Sequence, residues 1–330
     1  MKVLLVEDIQ SKSGVGVAIK HQKKALLSNN IEVTSDLKCK DYDVIHLNLI
    51  LPKSYFMAKK AKKQGKKVVF HGHSTKEDFQ NSFVGSNMIA PLFKQWIKMC
   101  YNAGDIILTP TPYSKSILDT YKLKREIYSI SNGIDTKWFT KNKKEGKKFR
   151  EKYGYTKDDK IIIGIGHLIY RKGIDDFINL AKQLPEYKFI WFGNLNFPLI
   201  TSQIKKLIAD KSDNLKFVSF VPREEIIHAL SGSDLFLFPS REETEGIVML
   251  EALSTEIQVL CRDIPVYDKW LEHGKSVYKA QNFEDFKNLI KQILEKKLTN
   301  TIKEGHKVAK ERDLEKIGAQ LVSYYEKIDK

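Results

Sequence analysis

Two glutamates stand eight positions apart in the segment Ser240-Arg-Glu-Glu243-Thr-Glu-Gly246-Ile247-Val-Met-Leu-Glu251. The segment follows an apolar run at 235–239 that reads as a buried strand, so it lies at the carboxyl edge of a sheet. Gly246 can open a helix there, and Ile247 continues it. A helix starting at that point turns its first N–H groups and its positive dipole end toward an anion such as a diphosphate. Ionised carboxylates only accept hydrogen bonds, so Glu243 and Glu251 suit paired hydroxyls on a sugar ring and a ribose. Two acids at this spacing also arise on an ordinary capped helix. The order strand, Pro-Ser, acid, glycine, helix favours the chemical reading.

A second candidate is Gly164-Ile-Gly166-His167-Leu-Ile-Tyr-Arg171-Lys172-Gly173. A strand ends near Gly166 and a helix opens near Gly173. Arg171 and Lys172 on the intervening loop can neutralise charge growing on a departing diphosphate. Two shorter elements lie earlier. Gly14 and Gly16, in Ser13-Gly-Val-Gly, would let a backbone approach a ligand closely after a first strand. His71-Gly-His73-Ser follows the run 68–70, where either a structural or a site histidine fits. No third ligand sits at useful spacing for a metal.

These residues need elements to hold them. Short β-rich runs at 3–7, 31–35, 43–48, 67–72, 105–110 and 126–131 alternate with helical patterns at 14–29, 52–64, 87–103 and 112–121. The rhythm restarts after a lysine-rich stretch at 141–160, read as a linker. Strands follow at 161–166, 189–193, 215–221, 235–239 and 258–261, and helical patterns close the chain at 282–297 and 313–328. Such alternation implies right-handed βαβ units around parallel sheets. The expected architecture is α/β, with two doubly wound, Rossmann-like domains facing across a cleft. The expected boundaries are 1–145, 146–310 and a last helix at 311–330 returning toward the first domain.

Composition narrows the classes. No window nears the ~18 apolar residues of a spanning helix, and the apolar opening stops at Glu7-Asp8, so it reads as a strand and not a signal peptide. Cys39, Cys100 and Cys261 lack ligand spacing and read as reduced thiols. Residues 1–150 hold 28 Lys and Arg against 13 Asp and Glu, while 151–330 hold 28 of each, so the whole net charge of +15 falls on the first half. That asymmetry points to a polyanionic surface, membrane or nucleic acid. Lys59, Lys60, Lys62, Lys63, Lys66 and Lys67 surround Phe56, Met57 and Ala61, and Lys94, Trp96 and Lys98 lie on a helix rich in large apolar residues. A basic helix with such a face can lie in an anionic bilayer interface, although Leu92, Trp96 and Ile97 could instead pack inward. Nucleic acid would use the same lysines, but no zinc finger, RNP-like motif or Gly-x-x-Gly helix pair accompanies them.

The Glu243–Glu251 block resembles the E-x7-E motif of retaining GT-B glycosyltransferases, family 4. That resemblance implies that Glu243 binds donor-sugar hydroxyls, Glu251 the ribose, and the backbone near Gly246 and Ile247 the phosphates. Lys172 matches the family lysine, whereas His167 occupies the usual arginine position, with Arg171 the candidate replacement. His73 aligns with a histidine beside the reacting sugar. Ser13-Gly-Val-Gly-Val-Ala-Ile-Lys-His-Gln22, His71-Gly-His-Ser-Thr-Lys-Glu-Asp-Phe-Gln-Asn-Ser-Phe83, Pro91-Leu-Phe-Lys94 and Ser131-Asn-Gly-Ile-Asp135 are similar to bacterial diglycosyl-diacylglycerol synthases, through most of the chain. The resemblance implies transfer of a second hexose, usually from UDP-glucose, to monoglucosyl-diacylglycerol, by a peripheral enzyme on the cytoplasmic side of the cell membrane. The basic half makes anionic lipids the expected partners and nucleic acid is not expected; no obligate protein partner is evident, and the resemblance implies no bound cofactor or catalytic metal, with room for free Mg²⁺ to stimulate. A polysaccharide or polyprenyl-linked acceptor is the alternative.

Overall fold

The computed structural model describes residues 1–7, 14–80, 83, 85–194 and 200–328. Ser13, Asn81 and Ser82 of the motifs above lie outside them. The chain forms two compact units, one of Met1–Gln80, Asn87–Asp135 and Glu311–Lys330, the other of Asn81–Ser86 and Thr136–Lys310.

In the first unit the order is β1 (Lys2–Val6), α1 (Gly14–Ser28), β2 (Glu32–Thr34), β3 (Val44–Leu47), α2 (Pro52–Lys63), β4 (Lys67–His71), α3 (Lys76–Phe79), α4 (Ser86–Asn102), β5 (Ile106–Thr109), α5 (Pro112–Asp119) and β6 (Glu126–Ser129). All six strands are parallel, in the order β2-β1-β3-β4-β5-β6. Strands β3 and β5 are buried throughout, which is why they read as unbroken apolar runs.

The second unit runs through α6 (Lys143–Lys152), β7 (Ile161–Ile165), α7 (Ile174–Gln183), β8 (Lys188–Phe192), α8 (Ser202–Ala209), β9 (Leu215–Val218), α9 (Arg223–Gly232), β10 (Leu235–Phe238), α10 (Ile247–Ser254), β11 (Gln258–Arg262), β12 (Tyr278–Ala280), α11 (Phe283–Leu294) and α12 (Ile302–Glu311). Its parallel sheet has the order β12-β11-β10-β7-β8-β9. Strand order reverses between β7 and β10, and ligands of open α/β sheets bind outside the carboxyl ends of strands at such a switch point. The last helix, α13 (Leu314–Glu326), belongs to the first unit and packs on α1.

Two local expectations change. The lysine-rich stretch read as a linker contains α6, which packs on α9. A Cβ at Gly146 would come within 2.8 Å of the Ser231 carbonyl, so the backbones touch where two glycines, Gly146 and Gly232, meet. Arg150 clamps the contact, donating to Gly232 O at 2.7 Å and Asp234 Oδ2 at 2.8 Å. Strand β12 was not expected at all; it adds the sheet's outer edge in register with Leu260–Arg262 of β11.

Candidate active site

The loops after β7 and β10 meet at the switch point of the second unit. Gly173 has φ +71°, and a Cβ there would lie 2.2 Å from Pro239 O, so a glycine is required for the two loops to close. Arg241 N donates to Arg171 O at 2.8 Å. The Arg241 guanidinium reaches Tyr170 O at 2.6 Å, both carboxylate oxygens of Asp175 at 2.7 and 2.9 Å, and Asp176 Oδ2 at 2.6 Å. Bidentate pairing of this kind fixes geometry as well as charge. Arg262 braces the same junction, donating to Pro239 O at 3.1 Å and pairing with Asp176.

On this frame Glu243 is buried. Its Oε1 accepts from Ser240 Oγ at 2.6 Å and pairs with Lys172 Nζ. Burial pushes the carboxyl up, but the charges of Lys172 and Arg171 and the hydrogen bonds from Lys172 and Ser240 outweigh it, leaving the group below its ordinary range. Arg171 donates from Nη1 to Glu242 O at 2.9 Å, holding the acid-bearing turn. His167 lies in the same field; burial, then Lys172 and Arg171, lower it to about 4, so it stands as a neutral imidazole. Gly164, by contrast, belongs to the core, since a Cβ there would sit 2.3 Å from the Trp191 ring.

Helix α10 starts at Ile247, with Gly246 before it at φ +83°. First-turn N–H groups lack partners within their own helix. Four residues in, Glu251 is fully buried. Its Oε1 pairs with Arg223 at the start of α9, and its Oε2 is buried with no hydrogen-bond partner. Burial raises its carboxyl, with the Arg223 charge opposing. The sequence reading missed Arg223. Its signal was a basic residue opening a helix in Pro222-Arg-Glu-Glu, ahead of the buried strand β10.

In the first unit, Gly14 and Gly16 lie in the opening turn of α1 rather than in a loop. His71 ends β4 and His73 lies two residues beyond it, both buried. Around them stand Gln22, which closes the Ser13–Gln22 segment, and His46, Asn48 and Tyr325, which the sequence reading had not singled out. The basic surface divides in two. Lys59, Lys60 and Lys63 are exposed. Lys62 is tied to Asp105 at 2.7 Å and Lys67 to Tyr325 O at 2.9 Å, while Lys66 lies over the Tyr42 ring and Lys94 over Tyr121. On α4, Ile97 enters the core, but Met88 is 81% and Leu92 74% exposed, with Met99 farther along that face. Trp96, half-buried with Lys98, donates to Ile50 O at 2.6 Å and lies 6.2 Å from Tyr55 on α2, beside the exposed Phe56. No helix among the described residues is long and apolar enough to cross a membrane, and no group of three or more His, Cys, Asp or Glu side chains among them is placed to hold a metal ion.

Two doubly wound units with this loop pair at the switch point define the GT-B class of glycosyltransferases. Residues 145–311 match the model for glycosyl transferases group 1 and residues 8–138 that for glycosyltransferase family 4. The chain belongs to glycosyltransferase family 4 and is a glycosyltransferase. It is 41% identical to the processive diacylglycerol alpha-glucosyltransferase of Acholeplasma laidlawii, covering 100% of this chain and 99% of that one. It is 27% identical to the alpha-galactosylglucosyldiacylglycerol synthase of Streptococcus pneumoniae, over 82% of this chain and 75% of the relative. Among solved structures, Anabaena Alr3699/HepE in complex with UDP and glucose superposes with a TM-score of 0.81 at 17% identity, covering 99% of both chains, a likeness of fold.

Proposed function

We propose that this enzyme transfers glucose from UDP-glucose to monoglucosyl-diacylglycerol, with retention at the anomeric carbon, while bound peripherally to the cytoplasmic face of the cell membrane. The observation that carries the reading is the whole-length likeness to a diacylglycerol glucosyltransferase, joined to a site with buried carboxylates beside cations. Glu251 Oε2, buried and without a partner, suits a ribose hydroxyl. Glu243 would accept from donor-sugar hydroxyls. Lys172, Arg171 and the first N–H groups of α10 would take the diphosphate.

In this mechanism the acceptor hydroxyl attacks the anomeric carbon from the face that the diphosphate leaves. The bond to the leaving oxygen breaks, and the acceptor proton passes to a phosphate oxygen. Catalysis is then positioning plus charge stabilisation, with no protein nucleophile. His73 takes the place beside the reacting sugar. Exposed Lys59, Lys60 and Lys63, with the exposed Phe56 on α2 and Leu92 and Met88 on α4 of the same unit, form the surface proposed to meet anionic lipid.

The likeness to a processive diacylglycerol alpha-glucosyltransferase favours a second reading in which one site adds successive sugars. A radiolabelled transfer assay from UDP-glucose into mixed micelles separates the two. Label only with monoglucosyl-diacylglycerol, rising with anionic lipid, supports the first; label with diacylglycerol giving products of increasing length supports the second. No lipid-dependent label from UDP-glucose or UDP-galactose removes both.

A further inference from the structure

A buried polar chain runs through the first unit from its last helix to His73. Tyr325 Oη, on α13, lies 2.5 Å from His46 Nδ1. His46 Nε2 lies 3.3 Å from His71 Nδ1, which Gln22 Nε2 also approaches at 3.0 Å. Gln22 and Asn48 exchange two amide hydrogen bonds of 2.8 Å each, and Asn48 Oδ1 lies 2.8 Å from His73 Nε2. The rings of His46 and His71 stack at 5.4 Å, and those of His71 and His73 at 4.5 Å. All six side chains are at most 9% exposed.

Such a chain has two self-consistent proton arrangements. In one, every histidine carries its proton on Nε2. In the other, both amides turn over and every histidine carries it on Nδ1. Tyr325 distinguishes them. A phenol must donate its proton to avoid a buried, unsatisfied O–H, and its side-chain hydrogen-bond partner is His46 Nδ1. Donation there makes Nδ1 an acceptor and puts the His46 proton on Nε2, which then donates to His71 Nδ1. With His71 Nδ1 accepting, Gln22 must present its NH₂ group, so its carbonyl faces Asn48 Nδ2. Asn48 Oδ1 is thereby turned to His73, whose proton must sit on Nε2. This arrangement leaves one group unpaired, His71 Nε2–H, whereas the alternative leaves two, the Tyr325 O–H and a bare His71 Nε2.

We propose that Tyr325 is a positioning residue that sets the tautomer of His73, through His46, His71, Gln22 and Asn48, so that His73 presents Nδ1 as a bare acceptor to the transfer reaction. The inference rests, for its catalytic meaning, on the role of His73 proposed above. Burial lowers His46 and His73 to about 3 and holds His71 well below the ordinary imidazole value, so the three are neutral near pH 7 and tautomer is the variable left. The titratable groups against His73 are the other two imidazoles, and its hydrogen-bond partner among the described residues is an amide.

The experiment is nitrogen–proton correlation spectroscopy of the full chain labelled with ¹⁵N-histidine, which reads which ring nitrogen carries the proton. Wild-type protein is expected to show the Nε2–H form at His46, His71 and His73 together; the Nδ1–H form at any one of them overturns the relay. In Tyr325→Phe, His73 is expected to become a mixture of both tautomers, and kcat to fall about tenfold with KM for the nucleotide sugar unchanged. A Tyr325→Phe protein whose His73 remains wholly Nε2–H overturns the control by Tyr325. His73→Gln separates the two layers: full activity in that variant removes the role of His73 in transfer, while the tautomer spectrum still decides the relay.

Discussion

The two units distribute charge in opposite ways. The first 150 residues carry all of the net +15, yet the polar groups buried around His73 are uncharged imidazoles, amides and a phenol. The remainder of the chain is neutral overall, yet it buries carboxylates, among them Glu243 and Glu251, each of these two beside a cation. The lesson is that net charge and site charge answer to different partners. A diffuse cationic exterior attracts an extended anionic surface through water. Under the proposed function the buried ion pairs face a small, doubly charged ligand, and they are strong only because water is excluded. The neutral network orients a group without adding to the field.

This contrast can be broken at its strongest point by Glu243→Gln, which removes the charge paired with Lys172. Turnover is expected to fall about 10²–10³-fold in the micelle assay with the fold intact by circular dichroism. Next, Lys59, Lys60 and Lys63 changed together to Gln should weaken liposome binding by roughly 3 kcal/mol at low salt, and flatten its salt dependence in a flotation assay; unaltered binding would move the docking face elsewhere.

The neutral network should reveal itself by acid. The folded chain holds His46 and His73 unprotonated down to about 3, whereas the unfolded chain protonates them near 6.5. Protons are therefore taken up on unfolding, so stability declines as pH drops from 6.5 toward 3. About 2 kcal/mol for each of the two should be lost by pH 5, measured by urea unfolding at both pH values. The smallest effect is expected from Arg223→Met. Glu251, already raised by burial, loses its opposing cation and is held more strongly in the protonated form. KM for the nucleotide sugar should rise about tenfold and recover as pH increases.

The second unit's site was the more legible. Glu243, Gly246, Glu251 and Lys172 lie within two short segments, each directly after an apolar run, so sequence spacing carries the geometry. Arg223 was not legible because its partner is 28 positions away and charged helix starts are common. Helix α6 was hidden because its anchoring depends on glycine backbones in contact, with Phe149 as its one large buried apolar residue, and neither produces an apolar period. Tyr325 and His46 are 279 positions apart, a pairing that no local pattern encodes. Asn48 did leave a trace, as an amide ending the apolar strand run 43–48, where a buried polar group has to find company.

The pairing of Lys172 with Glu243 has a bearing on the order of events. Each satisfies the other, so a hexose arriving alone would have to compete with a lysine for the carboxylate. A diphosphate that engages Lys172 loosens that hold and makes Glu243 ready for hydroxyls. Binding would then be sequential within a single ligand, nucleotide end first and sugar end second. Under the proposed function, the diphosphate left after transfer would keep the lysine occupied while Glu243 loses its sugar, a state that would favour re-pairing and expulsion of the spent nucleotide. A latch of two side chains would thus double as a filter against the abundant unactivated sugars of the cell.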